Sequence, residues 1–175
     1  MTINDLANTE HDPYYARYIR KLSDDVRLRE GFKVGGEKVR QFFKTLPDEK
    51  LEYRYQPNKW CVKEVFQHQI DTERVFMYRC FRIARGDKTA LAGFNQDIFV
   101  EPSGASRKSR DQLIGEFIAI RSASISLLDS LTDADLQQIG DANGGVMSAR
   151  AAAFTIIGHD IWHMDVIRDL YLGGR

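Results

Sequence analysis

The sequence predicts an all-α protein, a four-helix bundle. Three observations carry that prediction: apolar residues recur at three- and four-residue steps through several long stretches, Pro and Gly fall mostly between those stretches, and the 175 residues show no repeat or low-complexity tract. That length fits one domain over residues 1–175, with residues 1–12 expected to form a flexible tail. His11, beside Asp12-Pro13 in that polar segment, is expected in solvent.

The elements follow in order. Pro13-Tyr14-Tyr15-Ala16-Arg17-Tyr18-Ile19 reads as a short helix starting at its proline. From Asp24 to Leu46 the apolar positions Val26, Phe32, Val34, Val39, Phe42, Phe43 and Leu46 predict the first long helix, which Pro47 closes and the Gly35-Gly36 pair weakens. Pro57-Asn58-Lys59-Trp60 reads as a turn, and a second long helix runs from near Cys61 to about Arg85, with Glu64 placed to complete a capping box. Lys88 to Lys108 is a connection long enough to cross the bundle or cover a site. Arg110 to Leu131 forms the third long helix, with Leu113, Phe117, Ile120, Leu127, Leu128 and Leu131 as its apolar side. Asp141-Ala142-Asn143-Gly144-Gly145 reads as a loop, after which Ser148 caps a last helix that runs through Leu170 until Gly173-Gly174 stops it.

Lys plus Arg equals Asp plus Glu at 25 each, so no global field gathers nucleic acid or anionic lipid. No apolar run approaches the roughly 20 residues of a membrane span, and Met1-Thr2-Ile3-Asn4-Asp5 lacks the regions of a signal peptide. The cysteines, Cys61 and Cys80, are too few for a disulfide framework and fall in one predicted helix, about five turns apart, where they cannot bridge. A reducing cytoplasm is the expected location.

Histidines give the sharpest chemical signal. His159 and His163 lie four apart in Gly158-His159-Asp160-Ile161-Trp162-His163, so their imidazoles leave one helix face a turn apart. His68 lies in another helical run, among the apolar neighbours Val65 and Val75, and is placed to supply a third nitrogen. Imidazole suits zinc, nickel, iron or copper, and three histidines leave a coordination position open, as in a catalytic zinc-type site. The pair alone is weak evidence, and rings packed or hydrogen-bonded inside the core are the more frequent reading of it. A third inward-facing ring strengthens the metal reading, because buried imidazoles without partners leave polar nitrogens unsatisfied.

Other motifs are weaker. The glutamate of an HExxH protease is missing, since Asp160 follows His159 and points about a hundred degrees away, toward a supporting role or the surface. Arg74, Arg79, Arg82, Arg85 and Lys88 form a basic run that suits either an anion or, more simply, a solvated helix face. Tyr14, Tyr15, Tyr18, Tyr53, Tyr55 and Trp60 suit a pocket lining or core filling. Cys80 lacks a base at readable spacing and is read as packing.

The segment from Tyr55 to Glu73, containing Trp60-Cys61-Val62-Lys63-Glu64-Val65-Phe66-Gln67-His68-Gln69-Ile70-Asp71, resembles the Trp-Ser-x-x-Glu-x-x-x-His-x-x-Asp signature of the DinB/YfiT-like superfamily. Gly158-His159 through Val166-Ile167-Arg168 resembles that family's final-helix motif, and the likeness spans nearly the whole chain from Tyr15 to Leu172. The resemblance implies an up-down-down-up bundle, often a homodimer, with a divalent metal on His68, His159 and His163. Zinc, nickel, manganese and iron all remain open as that ion. Characterised relatives include bacillithiol and mycothiol S-transferases and a mycothiol-dependent maleylpyruvate isomerase, which implies a small-molecule enzyme using a low-molecular-weight thiol. In that chemistry Arg79 is the candidate contact for a substrate carboxylate. The other reading is a non-enzymatic, stress-associated dimer whose metal is structural or incidental. Two positions depart from the pattern: Cys61 stands for the usual serine, and Trp162 stands where relatives frequently carry a histidine, adding bulk beside the site.

Overall fold

The computed structural model describes residues 1–173. Its long helices are α2 (Leu28–Thr45), α3 (Val62–Ala84), α5 (Arg110–Ser130) and α7 (Ala149–Val166), with short helices α1 (Ala16–Ile19), α4 (Asp97–Ser103) and α6 (Asp133–Leu136) between them. Each long helix buries an apolar face. Leu28, Phe32, Val39 and Phe43 of α2 meet Phe66, Ile70, Phe117 and Phe154 of the others in two clusters that run along the bundle axis.

Side-chain pairs fix the relative directions. Across α3 and α5, Gln67 meets Glu116 and Glu73 meets Arg121, so these neighbours are parallel. Between α3 and α7, Trp60 pairs with Tyr171 and Gln69 with Asp160, so they are antiparallel. Arg29 of α2 reaches the Leu128 carbonyl while Arg110 of α5 reaches that of Lys44, which sets α2 antiparallel to α5. The bundle is therefore up-down-down-up. Parallel α3 and α5 require a connection that travels back along the bundle, and residues 85–109, with α4 inside them, make that journey.

The helix ends follow the chemistry of their caps. At the start of α3 the Glu64 carboxylate accepts from the Cys61 N–H at 2.8 Å and is held by Arg54 at 2.6 and 2.8 Å. Ser109 and Ser148 accept from the third residue of α5 and α7. The first long helix begins at Leu28, four residues after the expected start, and Gly35-Gly36 does not interrupt it. A Cβ at Gly36 would lie 3.0 Å from Arg121 Cγ, so the small residue admits a buried arginine from α5. Val34, read as apolar face, is exposed. The last helix passes into a π-helical turn over Ile167–Tyr171, and Gly173 follows with φ +75°. Gly174, the second half of the expected stop, lies outside the described residues.

Two sequence expectations are corrected. The segment expected to be a flexible tail is docked: Ile3 N–H donates to the Val26 carbonyl at 2.9 Å, and Glu10 pairs with Arg150 at 2.5 and 2.7 Å in a buried contact. His11 is buried there rather than solvated. The stretch read as a loop is the turn of a hairpin, β1 (Ile139–Ala142) against β2 (Gly145–Ser148). Asn143 and Gly144 both take positive φ, 61° and 75°, the backbone that a tight two-residue hairpin turn requires.

Candidate metal centre

Nearly two turns into α3, His68 points between helices toward α7, where His159 and His163 present the same face. His159 Nε2 lies 3.0 Å from His68 Nε2 and 3.0 Å from His163 Nε2. All three ligand atoms fall within 4.8 Å of one another. The three residues predicted from sequence are thus brought to one point, forming a group able to hold a metal ion.

Backbone packing sets this position. At Gly158 a Cβ would fall 2.1 Å from the Tyr18 carbonyl oxygen, so only glycine lets α1 cross α7 at this depth. That crossing lays the Tyr18 ring edge-on to His159, 5.1 Å between centroids, and Trp60 covers His68 at 5.0 Å. Thr72, one turn along α3, has its hydroxyl 3.4 Å from His68 Nδ1. A proton on Nδ1 facing that oxygen leaves the Nε2 lone pair for the cluster. Trp162 is half-buried, edge-on to Tyr18 with Lys21 over its ring.

The rings are electrostatically prepared to stay neutral. Burial pushes His68 down to about 4 and His163 to about 3, the latter helped by His68, and burial lowers His159 well below the ordinary histidine value. Neutral imidazoles carry lone pairs. His159 Nε2 offers one proton or one lone pair, yet it faces two other Nε2 atoms at hydrogen-bond distance, so protons alone cannot satisfy both contacts. A single cation among the three nitrogens satisfies all of them, and the donor set fits a borderline divalent ion.

The surroundings provide room. His159 lines a cavity of about 120 Å³ together with Tyr14, Tyr15, Tyr18, Thr72 and Arg79. His163 opens on a wider cleft of about 510 Å³ beside Trp60, Asp97 and Tyr171. The connection after α3 therefore covers the site, as its length suggested: Phe94 and Gln96 close the first space and Asp97 borders the second.

The basic run does not act together. Arg74 is taken by Asp71 and Glu116, Arg82 by Asp87, and Lys88 by the Ile139 carbonyl, whereas Arg79 turns inward and is 2% exposed. Cys80 is core, its thiol pushed up to about 12 by burial, and Cys61 is buried at the start of α3.

A second polar centre was not anticipated. Arg121 of α5 donates to both Glu73 oxygens at 2.9 and 3.1 Å, and to Asp160 at 2.6 Å, with all three residues buried. Burial raises the Asp160 carboxyl to about 6 against the opposing pull of Arg121. Asp160 is thus neither at the surface nor beside His159, but part of an ion cluster one residue away. An arginine amid Ile120 and Ser122 carries no mark of burial, and its partners lie 39 and 48 residues distant.

An up-down-down-up bundle with a histidine from α3 and two from α7 defines a class of histidine-bearing helical proteins. The model of the DinB superfamily matches residues 32–167, and the chain belongs to that family. Among solved structures the fold is similar to that of YfiT from Bacillus subtilis, described as a probable metal-dependent hydrolase with an unusual four-helix bundle topology. That likeness has a TM-score of 0.74 at 15% identity and covers 88% of this chain and 94% of that one. No curated protein matches the chain.

Proposed function

We propose that the chain is a metal-dependent enzyme in which His68, His159 and His163 hold a divalent cation for chemistry on a small molecule. The observation that carries this reading is the set of three neutral imidazoles in which the Nε2 atoms of His68 and His163 each lie 3.0 Å from that of His159, with no protonation pattern that serves both contacts. When bound, such an ion supplies Lewis acidity and lowers the pKa of a water or a low-molecular-weight thiol. The protein's own part is placement. Thr72 orients His68, the α1 crossing orients His159, and the aromatic rings of Tyr18 and Trp60 exclude bulk water. The two spaces beside the cluster supply room for a nucleophile and an electrophile. Both the YfiT description, for water, and the resemblance to S-transferases, for a thiol, support a nucleophile at this position; the resemblance also supports a homodimer, and the sparse cysteines support a reducing cytoplasm.

The test is metal analysis of the purified protein, joined to parallel screens for metal-dependent ester or amide hydrolysis and for thiol conjugation with zinc, nickel, manganese or iron. Stoichiometric metal with turnover in either screen is expected. Stoichiometric metal without turnover of any donor would reject the enzymatic reading, and no metal uptake would reject the site itself.

A further inference from the structure

We infer that the cavity beside His159 is a carboxylate-binding subsite built around Arg79. This deepens the proposed function by naming the charge of its substrate, and it rests on that reading only for what the other end of the substrate does.

Arg79 is 2% exposed, and among the described residues no carboxylate lies within ion-pair distance of it. Its hydrogen bonding is sparse: Nη2 donates to the Ala92 carbonyl at 3.0 Å, while Nε is buried without a partner. The guanidinium stands over the Phe76 ring at 5.0 Å and near the Phe94 ring at 5.8 Å, so aromatic faces steady it without neutralising it. Every other buried arginine has an anion. Arg121 has Glu73 and Asp160, and Arg150 has Glu10.

A buried charge is costly unless it is paired and hydrogen-bonded, and a buried donor left unmade costs more than a made one contributes. The protein places this cost on the wall of a cavity rather than in the packed core. The same cavity reaches His159 at its other side and carries Tyr14, Gln96 and Asn143 as further polar lining. Its volume of about 120 Å³ holds roughly eight water-sized groups. That admits a small organic acid and excludes a long chain. The planar fork of one guanidinium matches one carboxylate in shape and charge, whereas a phosphate dianion would leave a buried negative charge uncompensated.

Binding of 3-mercaptopropionate and of 3-mercaptopropionamide can be compared by ligand-observed NMR titration on the full chain, metal-free and zinc-loaded, with zinc affinity measured separately. The acid is expected to bind at least tenfold tighter than the amide in both forms. Arg79→Gln should remove that preference, and Arg79→Lys should keep part of it while zinc affinity stays unchanged. Equal binding of acid and amide by the wild-type chain would overturn the inference, and this comparison needs no variant to fold. If zinc does not bind but the acid is still preferred, the metal reading fails and the carboxylate subsite stands. If zinc binds and the acid is not preferred, the reverse holds.

Discussion

The interface of α3 and α7 carries two buried polar centres, one residue apart on α7, that are built on opposite terms. His159 belongs to a cluster of neutral imidazoles in which its Nε2 faces two others at hydrogen-bond distance, and Asp160 belongs to an ion cluster in which Arg121 meets two carboxylates within hydrogen-bond distance. In the second, every guanidinium nitrogen of Arg121 donates to a protein oxygen, while one cation faces two carboxylates and Gln69 Oε1 beside them is buried without a partner. In the first, no placement of protons serves both contacts of His159 Nε2, whereas a cation among the three nitrogens would. Pairing with protein anions sets the ion cluster apart from the histidine cluster, and it sets Arg121 apart from Arg79 in the same way.

The largest break in this comparison should come from Arg121→Met. It leaves Glu73 and Asp160 buried without their cation, which should lower unfolding free energy by about 3–5 kcal/mol in a denaturant titration. A loss under ~1 kcal/mol would mean that the ion cluster is not the closed structural unit described here. His159→Ala, one residue away, should act differently, removing a ligand while the apolar faces of α2, α3, α5 and α7 keep the bundle formed. In the wild-type chain, zinc at a hundredfold excess over its Kd should stabilise by about 2.7 kcal/mol, and this gain should vanish in His159→Ala and His163→Ala with helicity retained. Melting curves with and without zinc read the difference, and loss of helicity on chelation would turn the metal into a structural element.

Glu116 provides an intermediate case at the bundle's rim. Burial raises its carboxyl, but hydrogen bonds from Lys108, Gln67 and Arg74 overcome that and hold it down to about 2. Because the folded pKa is depressed, the contribution is present above the unfolded value near 4.5 and is lost as pH falls toward 2. Glu116→Gln should therefore cost about 1–2 kcal/mol at pH 7, allowing for partial exposure, and the gap to wild type should close in acid. A gap independent of pH would assign the loss to packing. The smallest effect is expected at the hairpin turn: Gly144→Ala, at φ +75°, should cost about 1 kcal/mol and leave zinc affinity unchanged. A change in zinc affinity there would show that the hairpin supports the cluster.

The histidine site was legible because face positions within one helix follow from spacing, which sets His159 and His163 one turn apart on α7. Helices α2 and α3 were legible from apolar periodicity, whereas α7 is buried on all sides over Ala149–Asp160 and was legible from its Ser148 cap and apolar length. What escaped the sequence are pairings across many residues between side chains that look ordinary locally. Arg121 reads as helix surface until Gly36 is seen to make room for it, and Glu10 reads as tail until Arg150 is seen across 140 residues. The hairpin was a different kind of miss. Asn143-Gly144 is a strong turn signal in its own right, but the short strands beside it have no core-facing alternation to announce them.

Parallel neighbours in a bundle oblige the chain to return over the outside, and here that return, residues 85–109, passes across the mouth of the histidine cluster. The protein thus separates two jobs by where they sit on the chain: buried helix faces fix the ligand nitrogens, while a surface connection supplies Phe94, Gln96 and Asp97 as the walls a substrate would meet. Such connections accept insertions and substitutions far more readily than cores do. The shape of both spaces beside the cluster can then change with this strap, while the bundle keeps its three imidazoles and Arg79 where they are.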